Sequence, residues 1–139
     1  MNRRLSRQSA FTLMEILLVL AILVVLGSMV SLGYVKIQQE ANKKAARAQL
    51  TLLEDAVKTY ILDVGSPPSS LEGLVTAPGD LANPAKWAGP YLDKQNLPVD
   101  PWNQQFQYEI VDPTNAKFRI WSNGPDQQPG SSDDISTTL

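Results

Sequence analysis

Apolar residues are distributed in three different ways along this chain, and each distribution predicts a different element. From Ile16 to Val35 the twenty residues carry no charge and are mostly Leu, Ile and Val. At about 1.5 Å per residue, such a helix is about 30 Å long, the thickness of a bilayer's hydrocarbon core. From residue 36 to 62 the apolar positions become periodic. Ala41, Ala45, Ala48, Leu52, Ala56 and Tyr60 recur at steps of three and four, and Leu53, Val57 and Ile61 widen that stripe. No Pro or Gly falls between Tyr34 and Val64. The pattern therefore predicts one helix that is apolar all round in its first half and amphipathic in its second. A membrane anchor joined to a separate soluble helix is the alternative. Gly65, Pro67 and Pro68 should end it.

Beyond the helix the pattern changes twice. Residues 65–104 are dense in turn formers: Pro78-Gly79, Asn83-Pro84, Gly89-Pro90 and Asp100-Pro101. Ser69-Ser70-Leu71-Glu72 fits a capping box for a short helix through Val75. Trp87, Tyr91, Leu92, Leu97 and Trp102 are spaced through this segment and should pin it to the long helix by packing. In residues 105–122 the period falls to two. Phe106, Tyr108 and Ile110 alternate with Gln105, Gln107 and Glu109. After the loop Asp112–Ala116, Phe118, Ile120 and Ser122 alternate with Arg119 and Trp121. This is a hairpin, and the small antiparallel sheet needs the helix to cover one face. The fold class is α+β.

Charge and composition narrow the function. Arg3, Arg4 and Arg7 precede the apolar run and no acid does, which places residues 1–10 on the cytoplasmic side. The apolar stretch is longer than a secretory signal's core and no Ala-x-Ala follows it, so it should stay on the protein. The chain carries −2 overall, and loss of residues 1–10 would remove those three arginines. No basic patch is then left for nucleic acid. There is no cysteine and no histidine, hence no disulfide, no thiol chemistry and neither the commonest general base nor the usual transition-metal ligand. No catalytic residue is assigned, since the adjacent Asp133 and Asp134 have no reason to form an acid–base pair across a substrate.

Two clusters remain. Glu15 sits at the lip of the apolar run, either solvated among headgroups or neutralising a cation there. A cut between Ala10 and Phe11 would create such a cation, the amine of Phe11, one helical turn away. In a stack of identical helices each Glu15 could meet a neighbour's amine. The second cluster is the tail Ser122–Ile135, where Asp126, Asp133 and Asp134 lie among Gly, Pro and Ser. Hard oxygens on a turning backbone suit calcium, although the spacing is not that of an EF-hand. A solvated tail is the other reading.

The Arg-rich leader, Phe11-Thr12-Leu13-Met14-Glu15 and the apolar helix behind them resemble the class III signal of type IV pilins and pseudopilins. The resemblance implies cleavage after Ala10 by a prepilin peptidase, N-methylation of Phe11, and roles for Thr12 and Glu15 in assembly. Ala10 replaces the family's usual Gly, and Leu32 stands where many relatives carry Pro. The absence of a disulfide loop favours the pseudopilin branch. Three further stretches are similar to the major pseudopilins of type II secretion systems: Trp87-Ala88-Gly89-Pro90-Tyr91-Leu92, Leu97-Pro98-Val99-Asp100-Pro101-Trp102-Asn103, and Ser122-Asn123-Gly124-Pro125-Asp126 with Asp133-Asp134-Ile135.

That likeness implies a type IV pilin-like fold and one calcium ion in the C-terminal loop. Its ligands would be the side chains of Asp126, Asp133 and Asp134 and main-chain oxygens near Asn123 and Ser131. Gln127 replaces the usual Gly, and Ser136-Thr137-Thr138 the usual Trp. The implied organisation is a cleaved leader (1–10), a membrane and filament-core half-helix (11–35), an amphipathic half-helix (36–64) and a periplasmic globular part (65–139). The last comprises a helix and loop (65–104), a hairpin (105–122) and a calcium loop (122–135). The implied function is a structural subunit of an inner-membrane-derived periplasmic filament that drives export of folded proteins. Its partners are copies of itself, the peptidase, the assembly platform, minor pseudopilins and, before assembly, membrane lipid. A type IV pilin, a minor pseudopilin and a membrane-anchored binding module are the alternatives.

Overall fold

The protein is described by a computed structural model covering residues 11–93 and 96–137, with the side chains of residues 29–33 left out of the description. Helix α1 runs Leu13–Val64. The chain divides into two compact units, Met1–Gln38 and Gln39–Leu139, so the boundary falls inside α1.

In the first unit the described apolar side chains have nothing to pack on. Ile16 to Leu26 are 46–72 % exposed at every large hydrophobic position. The expected membrane run extends into residues 29–33, which lie outside the described side chains. Among the described residues, no helix is long and apolar enough to cross a membrane.

The second unit has a core of its own. Ala46, Leu50, Leu53, Ala56, Val57 and Tyr60 of α1 are buried together with Leu71, Leu74, Phe106, Ile120 and Ile135. The expected stripe holds from Leu53 to Tyr60 but not before it. Ala41, Ala45, Ala48 and Leu52 are exposed, and Ala46 and Leu50 point inward instead. Alanines occupy both faces of this part of the helix, so apolarity alone does not identify the buried one. The helix stops where Gly65 takes φ +96°, its N–H donating to the Ile61 carbonyl at 2.8 Å.

After α1 come two single turns of 3-10 helix, Leu71–Leu74 and Pro84–Lys86. The first is tighter and shorter than the expected helix, and Ser70 makes no side-chain cap to its backbone. Instead the Ser70 hydroxyl engages Glu72 and holds its carboxyl below the usual range. The aromatic pins behave as expected. Trp87, Tyr91, Leu92, Leu97 and Trp102 pack on the core, Tyr91 meets Tyr60 edge-on with ring centroids 5.5 Å apart, and Trp87 Nε1–H donates to the Gly73 carbonyl at 2.9 Å.

Strands β1 (Gln107–Asp112), β2 (Lys117–Ser122) and β3 (Ile135–Ser136) form one antiparallel sheet in that order. Tyr108 opposes Ile120 and Ile110 opposes Phe118, with an irregularity at Val111. The alternation therefore turns Tyr108, Phe118, Ile120 and Ser122 inward, and Arg119 and Trp121 stack on the outer face. β3 was not foreseen. It carries the tail back onto β2, pairing Ser122 with Ile135.

Candidate functional site

Two places carry candidate functional residues. At the start of α1, Thr12 is the last residue before the helix. Its side-chain Oγ1 and its carbonyl both accept from the Glu15 N–H, at 3.2 and 3.1 Å. This satisfies a helix donor that would otherwise have no partner and fixes where the helix begins. Glu15 lies in that first turn, where the positive end of the helix dipole favours a carboxylate. Phe11, Leu13 and Met14 are 74–79 % exposed around it. Ala10 lies outside the described residues.

The second place is the loop between β2 and β3. Gly124 adopts φ +69°, a region open to glycine. A Cβ there would collide with the main-chain carbonyl of Asp133, so the two limbs of the loop are in contact at this point. Ser131 Oγ lies 2.6 Å from Asp133 Oδ1 and 3.2 Å from Asp134 Oδ1. The Ser131 hydroxyl, more than any other group, holds the Asp133 carboxyl below its ordinary range, with backbone N–H groups and the nearby Asp126 side chain contributing. Asp126 Oδ1 accepts from Gln128 N–H at 3.0 Å, and Asp134 Oδ2 from Gly130 N–H at 2.8 Å.

The loop thus brings Asp126 beside Asp133, while Asp134 is engaged with Gly130 and Ser131. Among the described residues, no three His, Cys, Asp or Glu side chains form a group able to hold a metal by themselves. Within the loop, Asn123 Oδ1 is buried and has no hydrogen-bond partner among the described residues. A buried acceptor of this kind calls for a ligand or a water. Two carboxylates, that amide oxygen and the carbonyls of a turning backbone are all hard donors, and they fit calcium's preference for mixed oxygen shells. The sequence suggested a main-chain contribution near Asn123, whereas the unpartnered atom is in its side chain.

Sequence reasoning assigned no role to Asp100 or Ser122. Asp100 is 2 % exposed and Ser122 0 %. Asp100 Oδ1 accepts from the N–H groups of Trp102 and Gln104 at 3.0 and 2.8 Å, and Ser122 Oγ–H donates to Asp100 Oδ2 at 2.6 Å. The Asp-Pro pair is a recognisable turn start, but nothing local reveals that its carboxylate is buried against the end of β2.

The chain's likeness to known proteins fits this geometry. The sequence model of the family described as type II secretion system (T2SS), protein G matches residues 33–138. The chain belongs to that protein G family. The prokaryotic N-terminal methylation motif matches residues 5–31. A type II secretion system core protein G of Pectobacterium carotovorum is 37 % identical over 134 residues, covering 93 % of this chain and 83 % of the relative. Another, from Pseudomonas aeruginosa, is 36 % identical over 137 residues, covering 96 % and 93 %. Among solved structures, the major pseudopilin from the type 2 secretion system of enterohaemorrhagic Escherichia coli is similar with a TM-score of 0.59 at 28 % identity. That match covers 73 % of this chain and 90 % of the other. The fold of this chain, a long N-terminal helix with a small antiparallel sheet, is thus similar to that of this major pseudopilin.

Proposed function

We propose that this chain is a major pseudopilin, the repeating subunit of a periplasmic filament of a type II secretion system. The observation that carries the reading is the unsheltered apolar surface of α1. An isolated soluble chain rarely leaves a contiguous apolar surface this large in water. Lipid covers it before assembly, with residues 11–35 crossing the inner membrane and the C-terminal part in the periplasm. Other copies of the same helix cover it afterwards. A head-to-tail contact that does not close generates a filament from identical subunits. No chemistry is required of the chain itself.

Processing supplies the switch. A prepilin peptidase cuts after Ala10 and Phe11 is methylated, which places a new cation next to the helix that Thr12 caps. Glu15 of a neighbouring copy pairs with it, because a carboxylate surrounded by apolar helices needs a counter-charge. Addition of subunits on the assembly platform lengthens the filament, with minor pseudopilins at its tip, and it pushes folded cargo through the outer membrane.

At the other end of the chain, one calcium ion would be held by Asp126, Asp133, Asn123 and carbonyls near Ser131. It would neutralise carboxylates that otherwise repel each other. Asp134 supports the loop by holding Gly130 and Ser131.

The deciding experiment is Glu15→Leu in the native host. The variant should insert in the inner membrane at normal levels and yield no sheared filaments. Filaments at wild-type abundance would refute the assembly role. Were the chain a membrane-anchored binding module instead, the substitution would be harmless or would improve insertion.

A further inference from the structure

Asp100 lies outside the candidate ion loop and Ser122 is its first residue, at the end of β2; together they form its base. We infer that they are positioning residues for the loop: together they lock its departure and return points and so set how tightly it holds a divalent cation. The inference rests on the calcium reading above.

The connections run in one direction. The turn at Asp100 is closed by Asp100 N–H to the Gln104 carbonyl at 2.8 Å and by the two main-chain donors on Asp100 Oδ1. Its second oxygen takes the Ser122 hydroxyl, and Ser122 Oγ in turn accepts the Gly124 N–H at 3.1 Å. Ser122 is the residue from which the loop leaves β2, and it pairs with Ile135, where the loop returns as β3. Gly124 is also the residue against which the Asp133 carbonyl rests. A second tie, Gln104 Nε2–H to Gln127 Oε1 at 3.3 Å, joins the same turn to the loop's middle.

Burying a carboxylate is unfavourable, and a well-packed apolar residue would serve stability as well or better. What the carboxylate adds here is direction. It fixes the Ser122 hydroxyl proton, which leaves the oxygen's lone pairs facing Gly124 N–H, and this holds the backbone turn that brings Asn123 and Asp126 toward Asp133. Groups that orient ligands without touching an ion typically change affinity by about 10–100-fold.

The test uses the full mature chain in detergent micelles, with calcium titrated calorimetrically and terbium as a luminescent stand-in. Ser122→Ala should weaken calcium binding at least about tenfold and lengthen the list of terbium-bound waters read from the luminescence lifetime. Asp100→Asn, which keeps the size and the acceptor facing Trp102 and Gln104, should weaken it less. Ser122→Thr, which restores the hydroxyl, should recover most of the loss. In calcium-free protein, the Gly124 amide should exchange faster in Ser122→Ala than in wild type. Asp126→Asn is the control for the ion itself: if wild type binds no calcium, or this variant binds it equally well, the ion reading and the inference both fall. If wild type binds, Asp126→Asn does not, and folded Ser122→Ala and Asp100→Asn match wild type within twofold, the positioning role alone is refuted. Should Ser122→Ala not fold, Asp100→Asn decides by the same criterion.

Discussion

The carbonyl of Asp133 occupies the place where a side chain on Gly124 would begin. Two residues nine positions apart in sequence are thereby in contact, and the left-handed backbone of Gly124, at φ +69°, makes the approach possible. Gly124→Ala adds both a left-handed penalty and a collision with main chain, which cannot rotate away as a side chain can. The expected loss is about 2–4 kcal/mol. Trp87, Trp102 and Trp121 all lie in the C-terminal unit, so a thermal melt followed at the tryptophan bands of the near-ultraviolet circular dichroism reports on that unit. An unchanged midpoint would mean that the two limbs of the loop do not touch.

Alkaline stability should be governed by buried and half-buried tyrosines. Burial pushes the Tyr108 hydroxyl up to about 12, and its O–H donates to the Pro68 carbonyl at 2.9 Å. Burial likewise raises Tyr60 and Tyr91. An unfolded tyrosine ionises near 10, so above that pH the unfolded chain releases protons that the folded one retains, and stability falls as pH rises from about 10 to about 12. Tyr108→Phe should flatten that decline without abolishing it. At neutral pH it should lose about 1–2 kcal/mol, because the Pro68 carbonyl is left without its donor. Denaturant titrations at neutral pH and near pH 11 measure both effects.

Calcium removal should destabilise the C-terminal unit. An ion that binds only the folded state stabilises it by about 2.7 kcal/mol at 100 times its dissociation constant. For a domain of this size, chelation should lower the melting midpoint by roughly 10 °C. Asp126→Asn should erase the calcium-dependent part of the shift. Superimposable melts with calcium and with chelator would exclude a structural ion.

Much of this architecture was legible in the sequence because it depends on period. The uncharged run from Ile16 to Val35 and the absence of Pro and Gly between Tyr34 and Val64 predicted α1, and strict alternation around Tyr108 and Ile120 predicted the hairpin with its inward face. The buried face of α1 before Leu53 was not legible, because Ala41, Ala45, Ala46 and Ala48 are equally small and only tertiary packing selects Ala46. β3 was missed because a two-residue strand has no period to detect. In the loop, the sequence offered Asn123, Asp126, Ser131, Asp133 and Asp134 as candidate oxygen donors, but the contacts that support them were not legible. The roles of Asp100 and Ser122 follow from burial and from a hydrogen bond spanning 22 residues, which no local pattern encodes.

Cleavage ahead of Phe11 is the event on which the filament reading turns, since it would produce the amine that Glu15 is proposed to meet. Intact-mass and fragment-ion spectrometry of the chain recovered from its native membrane measures it directly. The account predicts a polypeptide that starts at N-methylated Phe11. A chain that still carries residues 1–10 would contradict it.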